Sequence, residues 1–334
     1  MFKKKLIPIL SFLGFAMVLG SSVLAFDINP LIFNGLKNSG TYLEMGGSGT
    51  LKDEGIKALA KSSMIRKVEI LSLKTHDISD EGIIALADSK YLKKVIVLNL
   101  FQNNIGPQGA EALANSENFK KLTKLDLWHN KIGPEGARAI AESISITLLV
   151  ELDLTGNNIG PEGARAIAQS KSLKNLEALK IGSNRIGDQG LTALSQSPYL
   201  RKLRVLDASD NAITSAGITS LIDSPVIVHL EKLIIRNNKL GNEGAAILSN
   251  LEGLKKLKNL DLQWNEITAD GASALGNAKY FSNLKILRLW GNPIGEDGVR
   301  SIRESEDLKN VTNPIYPFAS MDGQASELTG MQDF

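Results

Sequence analysis

The sequence predicts an α/β protein, a right-handed solenoid bent into an arc with a parallel sheet on its concave side and helices on its convex side. Three observations predict it. Asn stands at 103, 130, 157, 184, 211, 238, 265 and 292, every gap being 27 residues, and His76 holds the same slot one period earlier. Gly recurs six residues after that slot from Gly82 to Gly298, with Gly55 one period before. Ile or Leu follows the slot by two residues throughout, from Ile78 to Ile294. A fixed period of this length marks units that cannot bury their apolar faces alone and therefore stack on one another.

The first element is a predicted signal peptide over 1–25. Lys3, Lys4 and Lys5 form its basic start, 6–20 its apolar run, and Val23 with Ala25 supply the small residues a signal peptidase accepts before its cut, here placed after Ala25. The other reading, an uncleaved membrane anchor, suffers from Pro8, Gly14, Gly20, Ser21 and Ser22, which leave less than the ~20 unbroken apolar residues a bilayer needs. Cleavage removes three Lys and no acid, so the formal charge falls from +2 to −1. A chain without basic excess has nothing to displace counterions from phosphates, which excludes nucleic acid as a partner. The absence of Cys excludes disulfides, thiolate metal sites and a Cys nucleophile. Together these features predict export to a periplasmic or secreted location, in a bacterium, with no stable membrane span once the signal is removed.

The second element, 26–64, reads as an N-terminal cap with a partial repeat. The strand half before Gly55 is degraded to Tyr42-Leu43-Glu44-Met45-Gly46-Gly47, while the helix half keeps Ile56, Leu59 and Ala60. The third, 65–307, contains nine full units. Each opens L-x-x-L-x-L-x-x-N-x-I, as in Leu122, Leu125, Leu127, Asn130 and Ile132. Alternation of period two makes this a short strand with its leucines on one face. Each unit then continues as in 136–141, Gly-Ala-Arg-Ala-Ile-Ala, whose apolar spacing of three and four makes a helix with one buried face. Strand and helix repeated in one direction give parallel strands and right-handed crossovers, and helices wider than the ~4.8 Å strand spacing bend the stack. The Asn column reads as structural, because a buried amide can donate and accept between successive turns. Gly at the helix entry permits close approach or a positive φ. The last element, 308–334, reads as a C-terminal cap and flexible tail: the pattern fades after Leu308, Pro314 and Pro317 close the stack over 311–318, and 320–334 trails away.

These units resemble leucine-rich repeat proteins, and among them the ribonuclease-inhibitor-like class, over about residues 43–305. The wording N-x-I-G-x-x-G-A-x-A-L-A is also similar to the Gly-Ala-Leu-Ala variants of bacterial effectors, in a longer unit. The resemblance implies a horseshoe that binds other proteins by its concave face.

No catalytic residue, metal site or cofactor is expected. Neither G-x-x-x-x-G-K-S/T nor G-x-G-x-x-G occurs, the glycine cluster at 46–49 lacks any phosphate signature, and His76, His129 and His229 have no partner at ligand or triad spacing. Function is expected at positions the repeat leaves free, the outward strand residues. All three tryptophans, Trp128, Trp264 and Trp290, fall there. Phe101 and Trp128 are expected about 5 Å apart on neighbouring rungs, as are Trp264 and Trp290, with six rungs or about 30 Å between Trp128 and Trp290. The candidate partner-binding set is Phe101, Asp126, Trp128, His129, Asp153, Arg236, Asp261, Gln263, Trp264, Arg288 and Trp290, around a polar centre of Thr155, Gly182 and Ser209. Trp, Tyr and Arg are the usual interface anchors. The alternative for the aromatics is mutual packing. The alternative for the aspartates is ordinary solvated spelling of the strand, against an acidic stripe in which Asp126, Asp153 and nearby Glu151 repel one another and favour a basic partner or a cation. The expected function is a non-enzymatic, monomeric scaffold for a protein partner of unknown identity. Two others stay open: a glycan or small-ligand binder on the same face, and a regulator of a partner enzyme, since one branch of the resembled class activates a small GTPase.

Overall fold

The structure, a computed structural model, describes residues 27–45 and 50–313. The predicted signal peptide, the glycine cluster at 46–49, most of the closing segment and the whole tail lie outside the described residues. The strands are β1 Leu36–Lys37, β2 Tyr42–Glu44, β3 Ile70–Ser72, β4 Val97–Asn99, β5 Lys124–Asp126, β6 Glu151–Asp153, β7 Ala178–Lys180, β8 Val205–Asp207, β9 Lys232–Ile234, β10 Asn259–Asp261 and β11 Ile286–Arg288. The helices are α1 Asn29–Gly35, α2 Lys52–Lys61, α3 Asp80–Ala87, α4 Pro107–Asn115, α5 Gly133–Glu142, α6 Gly160–Ala168, α7 Gly187–Ser195, α8 Ser215–Thr219, α9 Gly241–Ser249, α10 Ala269–Gly276 and α11 Gly295–Arg303.

All strands join one open sheet in chain order, and β2 to β11 are parallel. From β3 on, each residue pairs with the one a full period later, as Leu125 does with Leu152. The inward leucine of each strand, Leu43 through Leu287, is at most 2% exposed, and one apolar core runs from Ile28 to Leu308. This is the α/β solenoid arc that the periods predict.

Two details differ from the expectation. The strand half that looked degraded is formed: β2 pairs in parallel with β3, because Leu43 (0% exposed) and Met45 (4%) fill the two core positions that pairing requires. The stack is instead closed on this side by β1, which pairs antiparallel to β2, and by α1. At the other end Asn313 occupies the free edge of β11, its Oδ1 accepting from the Leu287 N–H and its Nδ2 donating to the Leu287 carbonyl, both at 2.7 Å. At the β11 end the Leu287 backbone groups are thus engaged, which an edge open to pairing with other chains would leave free.

The Gly column at the helix entry resolves to space. Gly136 is helical, and a Cβ there would come within 2.7 Å of the Ile132 side chain and 3.0 Å of Ala110 on the preceding helix. Most helix starts follow one of two patterns, Gly241 and Gly295 being left-handed after Ser215 and Ala269 outside both. In one, an acceptor in the first turn of one helix takes the N–H that begins the next: Asp53 from Ser79 (2.8 Å), Asp188 from Thr214 (2.7 Å), Asn242 from Thr268 (2.8 Å). In the other that slot is Pro107, Pro134 or Pro161, which offers no side-chain acceptor. The residue 26 later is then Gly133, Gly160 or Gly187 at φ of +64, +62 and +58°, whose N–H turns to the carbonyl of Asn157, Asn184 or Asn211 instead. Helix ends have a ladder of their own. Ser89, Ser116, Ser170, Ser197 and Ser224 each donate to a carbonyl at the end of the previous helix, at 2.5–2.7 Å. These groups would otherwise be orphaned as helices terminate.

Candidate functional site

The inner surface is built outward from the Asn column. Asn184, fully buried, accepts on Oδ1 from the N–H groups of Asn157 (2.9 Å) and Ile159 (3.2 Å), and donates through Nδ2 to the carbonyls of Leu154 (2.8 Å) and Gly182 (3.0 Å). The donor half of the pattern recurs at Asn103, Asn130, Asn157, Asn211, Asn238, Asn265 and Asn292, while the buried Asn265 Oδ1 has no partner because the Asn238 N–H turns to the Trp264 carbonyl. His76 takes over part of it: its buried Nε2 meets the Met45 carbonyl at 2.7 Å, and its backbone N–H donates to Asn103.

This ladder creates the environment of the aspartates. The Leu100 carbonyl, which parallel pairing would offer to the Trp128 N–H, accepts instead from Asn103 and Asn130. The Trp128 N–H is then met by Asp126 at 3.0 Å. Asp153 does the same for Thr155, Asp207 for Ser209 and Asp261 for Gln263, and Asn99 serves Phe101 as an uncharged equivalent. The carboxylates that spell Leu-Asp-Leu thus complete the backbone bonding of the strand ends. Burial raises Asp126 above the usual carboxylate range and the Asp153 charge adds to it, against the Trp128 N–H. Burial likewise raises Asp261, opposed by the Gln263 N–H and by Arg288. Between Asp153 and Asp207 stands Lys180, 3.2 Å from Asp153. Burial pulls Lys180 down, but Asp153, with Asp126 and Asp207 behind it, outweighs burial and raises it. Lys124 pairs with Glu151 across neighbouring strands. The acidic run of Asp126 and Asp153 is therefore broken by Lys180 before Asp207, not continued as a stripe.

The aromatics form two clusters. Phe101 and Trp128 have centroids 4.8 Å apart, and His129 stacks on Trp128 at 5.3 Å and 24°. Trp264 and Trp290 meet edge to face at 4.7 Å. Mutual packing leaves the tryptophans well exposed, at 40, 43 and 53% for Trp128, Trp264 and Trp290. His129 and Trp264 occupy the residue before the ladder Asn, which is left-handed in every unit from Thr75 (φ 62°) to Gly291 (φ 79°). Ordinary occupants of such a slot are Gly, Asn or Asp, and a bulky residue there is an outlier. Each ring lies over the glycine in the same slot one unit on: a Cβ at Gly156 would come within 2.8 Å of the His129 ring, and one at Gly291 would strike the Trp264 indole.

Of the remaining sequence candidates, Arg288 reaches Asn259 (3.2 Å) and lies 3.9 Å from Asp261, Gln263 sits beside Asp261, and Arg236 is exposed on the outer rung between them and the centre. The polar centre is less open than its spelling suggests, since Ser209 is buried and its hydroxyl donates to Asp207 at 2.5 Å. His229 meets Lys256 at 2.9 Å, away from the inner face. Among the described residues no three His, Asp or Glu side chains group as a metal site would require, and no helix is long and apolar enough to cross a membrane. The Ser column and the paired Asp/Pro–Gly slots escaped the sequence reading, although both are periodic and were open to it.

The repeat signature is matched directly. Seven stretches, 65–87, 91–114, 120–141, 145–168, 172–195, 227–249 and 253–276, match the leucine-rich repeat family. The chain is a leucine-rich repeat protein. Two of the nine units are unmatched, the one carrying the short helix α8, five residues long, and the last, carrying α11. Among solved structures, this leucine-rich repeat protein is similar to an internalin from Listeria monocytogenes, at 21% identity over 81% of this chain and 85% of that one, with a TM-score of 0.47. It is also similar to the plant peptide hormone receptor RGFR1 in complex with RGF2 (18% identity, 74% and 35% covered, TM-score 0.42) and to a TDR receptor (20%, 76% and 39%, 0.42). The chain spans well under half the length of those two receptors. No curated protein matches the sequence. Leucine-rich repeat proteins are generally non-enzymatic scaffolds for protein interactions.

Proposed function

We propose that this leucine-rich repeat protein is exported and holds a protein partner along its concave sheet as a monomeric, non-enzymatic scaffold of the ribonuclease-inhibitor-like class. The anchors are Phe101, Trp128 and His129 at one site and Trp264 and Trp290 at the other, with Arg236 and Arg288 beside the second. Asp126, Asp153, Asp261 and Gln263 set the polar register between them. One observation carries the reading: Trp264 is held in a left-handed backbone slot that Asn or Gly would fill with less strain, and its ring remains 43% exposed. Strain retained at a solvent-facing aromatic points to a use outside folding. Trp and Arg on a rigid strand face are efficient anchors because little side-chain freedom is lost on contact.

The test is a double variant, Trp128→Ala with Trp290→Ala, compared with the parent in circular dichroism, thermal melting and crosslinked capture of a partner from envelope extracts. The expected result is an unchanged fold with capture lost. Capture at parental levels removes the aromatic-anchor reading. A glycan ligand is the second reading, favoured by the half-exposed indoles. Against it, Gly182 offers no side-chain donor and the Ser209 hydroxyl is already engaged. A saturable tryptophan fluorescence change with oligosaccharides would reverse that preference.

A further inference from the structure

Because every unit runs in the same direction, all connections from helix C-terminus to strand lie on one rim and all connections from strand to helix on the other. The two rims differ in charge. First-turn acids such as Asp80, Glu135, Glu162 and Glu296 line the strand-to-helix rim. On the opposite rim three consecutive units present Arg66-Lys67, Lys93-Lys94 and Lys120-Lys121, all exposed. Among the described residues only Lys120 of these six is in an ion pair, with Glu117 at 2.5 Å. One cation near each helix end is enough to complement a helix dipole. Five cations outside any ion pair, spread over three successive units, exceed that.

A second, independent feature shares this rim. Ile144 is 85% exposed and Leu148 49%, in the unit directly after the dibasic ones. Their slots hold Lys90, Glu117 and Lys171, and Lys94, Lys121 and Lys202, in other units, so the change from charged to apolar is local. At the other end of the basic run, α1 packs against the turn Ser63–Lys67, and Ser62 bonds Asn29 at 3.1 Å. That helix carries Phe33, 72% exposed, and Leu31, 40% exposed. Nothing in the core uses these side chains.

We infer that the helix-C-terminal rim docks on an anionic lipid surface, with the dibasic pairs on the headgroups and Phe33, Leu31, Ile144 and Leu148 at the boundary of the acyl region. Cations flanked by protruding apolar side chains are what an interfacial site needs, since charge attracts the protein to an anionic leaflet and apolar contact resists its release. The acidic rim then faces away from the bilayer. The solenoid stands on edge, and the concave sheet with its aromatic clusters stays open at the flank, so docking and partner capture do not compete.

Co-sedimentation of the full chain with vesicles of phosphatidylcholine, alone or with about 30% phosphatidylglycerol, tests this. The expected result is at least about tenfold stronger partitioning onto the anionic vesicles, lost when salt rises from about 0.05 to about 0.5 M. Lys93→Glu, Lys94→Glu, Lys120→Glu and Lys121→Glu together should reduce it at least about tenfold. Lys52→Glu, Lys131→Glu, Arg185→Glu and Lys239→Glu change the net charge equally on the other rim and should reduce it less than about threefold. Phe33→Ser with Ile144→Ser should weaken binding to the anionic vesicles at low salt at least about threefold. Melting curves matching the parent show that the exposed substitutions leave the fold intact. Equal loss in the two quadruple variants, no loss in either, or binding to dextran sulfate without binding to anionic vesicles would each overturn the proposal.

Discussion

Asp126 shows how a residue that looks like recognition chemistry answers first to the backbone beside it. The ladder amides of Asn103 and Asn130 take the carbonyl that the Trp128 N–H would have used, so a side-chain acceptor is required at 126. Asn99 meets the same need without charge. Asp126→Asn should therefore keep the bond and relieve a desolvated carboxylate. Because the folded carboxyl is raised, the folded state binds its proton more tightly than the unfolded state, so wild type gains stability as pH falls through the folded value and gains nothing further below the unfolded one. The expected outcome is a variant more stable than wild type at neutral pH by about 0.5–1 kcal/mol. That advantage should shrink over the interval from above the ordinary carboxylate range down to it, as followed by urea unfolding at a series of pH values. Trp264→Asn makes the complementary case. It releases left-handed strain of about 1–2 kcal/mol and forfeits ring packing on Trp290 of about 0.5–1.5 kcal/mol, so melting should move little while partner capture falls. A large drop in stability would assign Trp264 to folding.

At the scale of the element, each strand-to-helix turn is specified by two slots in different units. Pro134 removes a side-chain acceptor, and Gly160 compensates by turning its N–H to the Asn184 carbonyl at 3.1 Å from φ +62°. Where Asp188 supplies the acceptor, Thr214 needs no such backbone. Gly160→Thr alone should cost about 1–2 kcal/mol, because the strained residue finds no acceptor. Adding Pro134→Asp should recover at least about half of that, which a double-mutant cycle of denaturation measures directly. Additive costs would show that the two slots are independent. The Asn ladder is less forgiving. Asn184→Leu leaves the N–H groups of Asn157 and Ile159 without an acceptor, while the Leu154 and Gly182 carbonyls keep the Asn157 amide and the Gly156 N–H, so a loss of about 2 kcal/mol or more is expected in chemical denaturation.

For the whole molecule, stability is close to a sum over neighbours, so damage stays near its source. Asn313→Ala should free the edge of β11 and raise hydrogen exchange at Leu287 about tenfold or more while Leu179 in β7 stays protected. Uniform acceleration along the sheet would mean that the end closes the stack cooperatively. The same one-directional stacking sets first-turn acids along one rim and the dibasic pairs 66–67, 93–94 and 120–121 along the other.

The architecture was legible in the chain because a period of 27 repeats one local solution: Leu125 and Leu127 inward, Asn130 at the strand end, Gly136 where helices touch. Local spacing determines such features, and repetition removes ambiguity about what packs on what. The tryptophans and the spacing of their slots were readable for the same reason. The degraded wording of 42–47 misled, since pairing of β2 needed only two apolar side chains and no consensus. Tertiary structure alone decided what happens between units. It turned the aspartates into acceptors for displaced N–H groups, set Lys180 between two of them, laid Trp264 over Gly291 and gathered Ile144 and Phe33 on the cationic rim. Those relations depend on distances between residues of different units and on burial, which a one-dimensional pattern of letters does not contain.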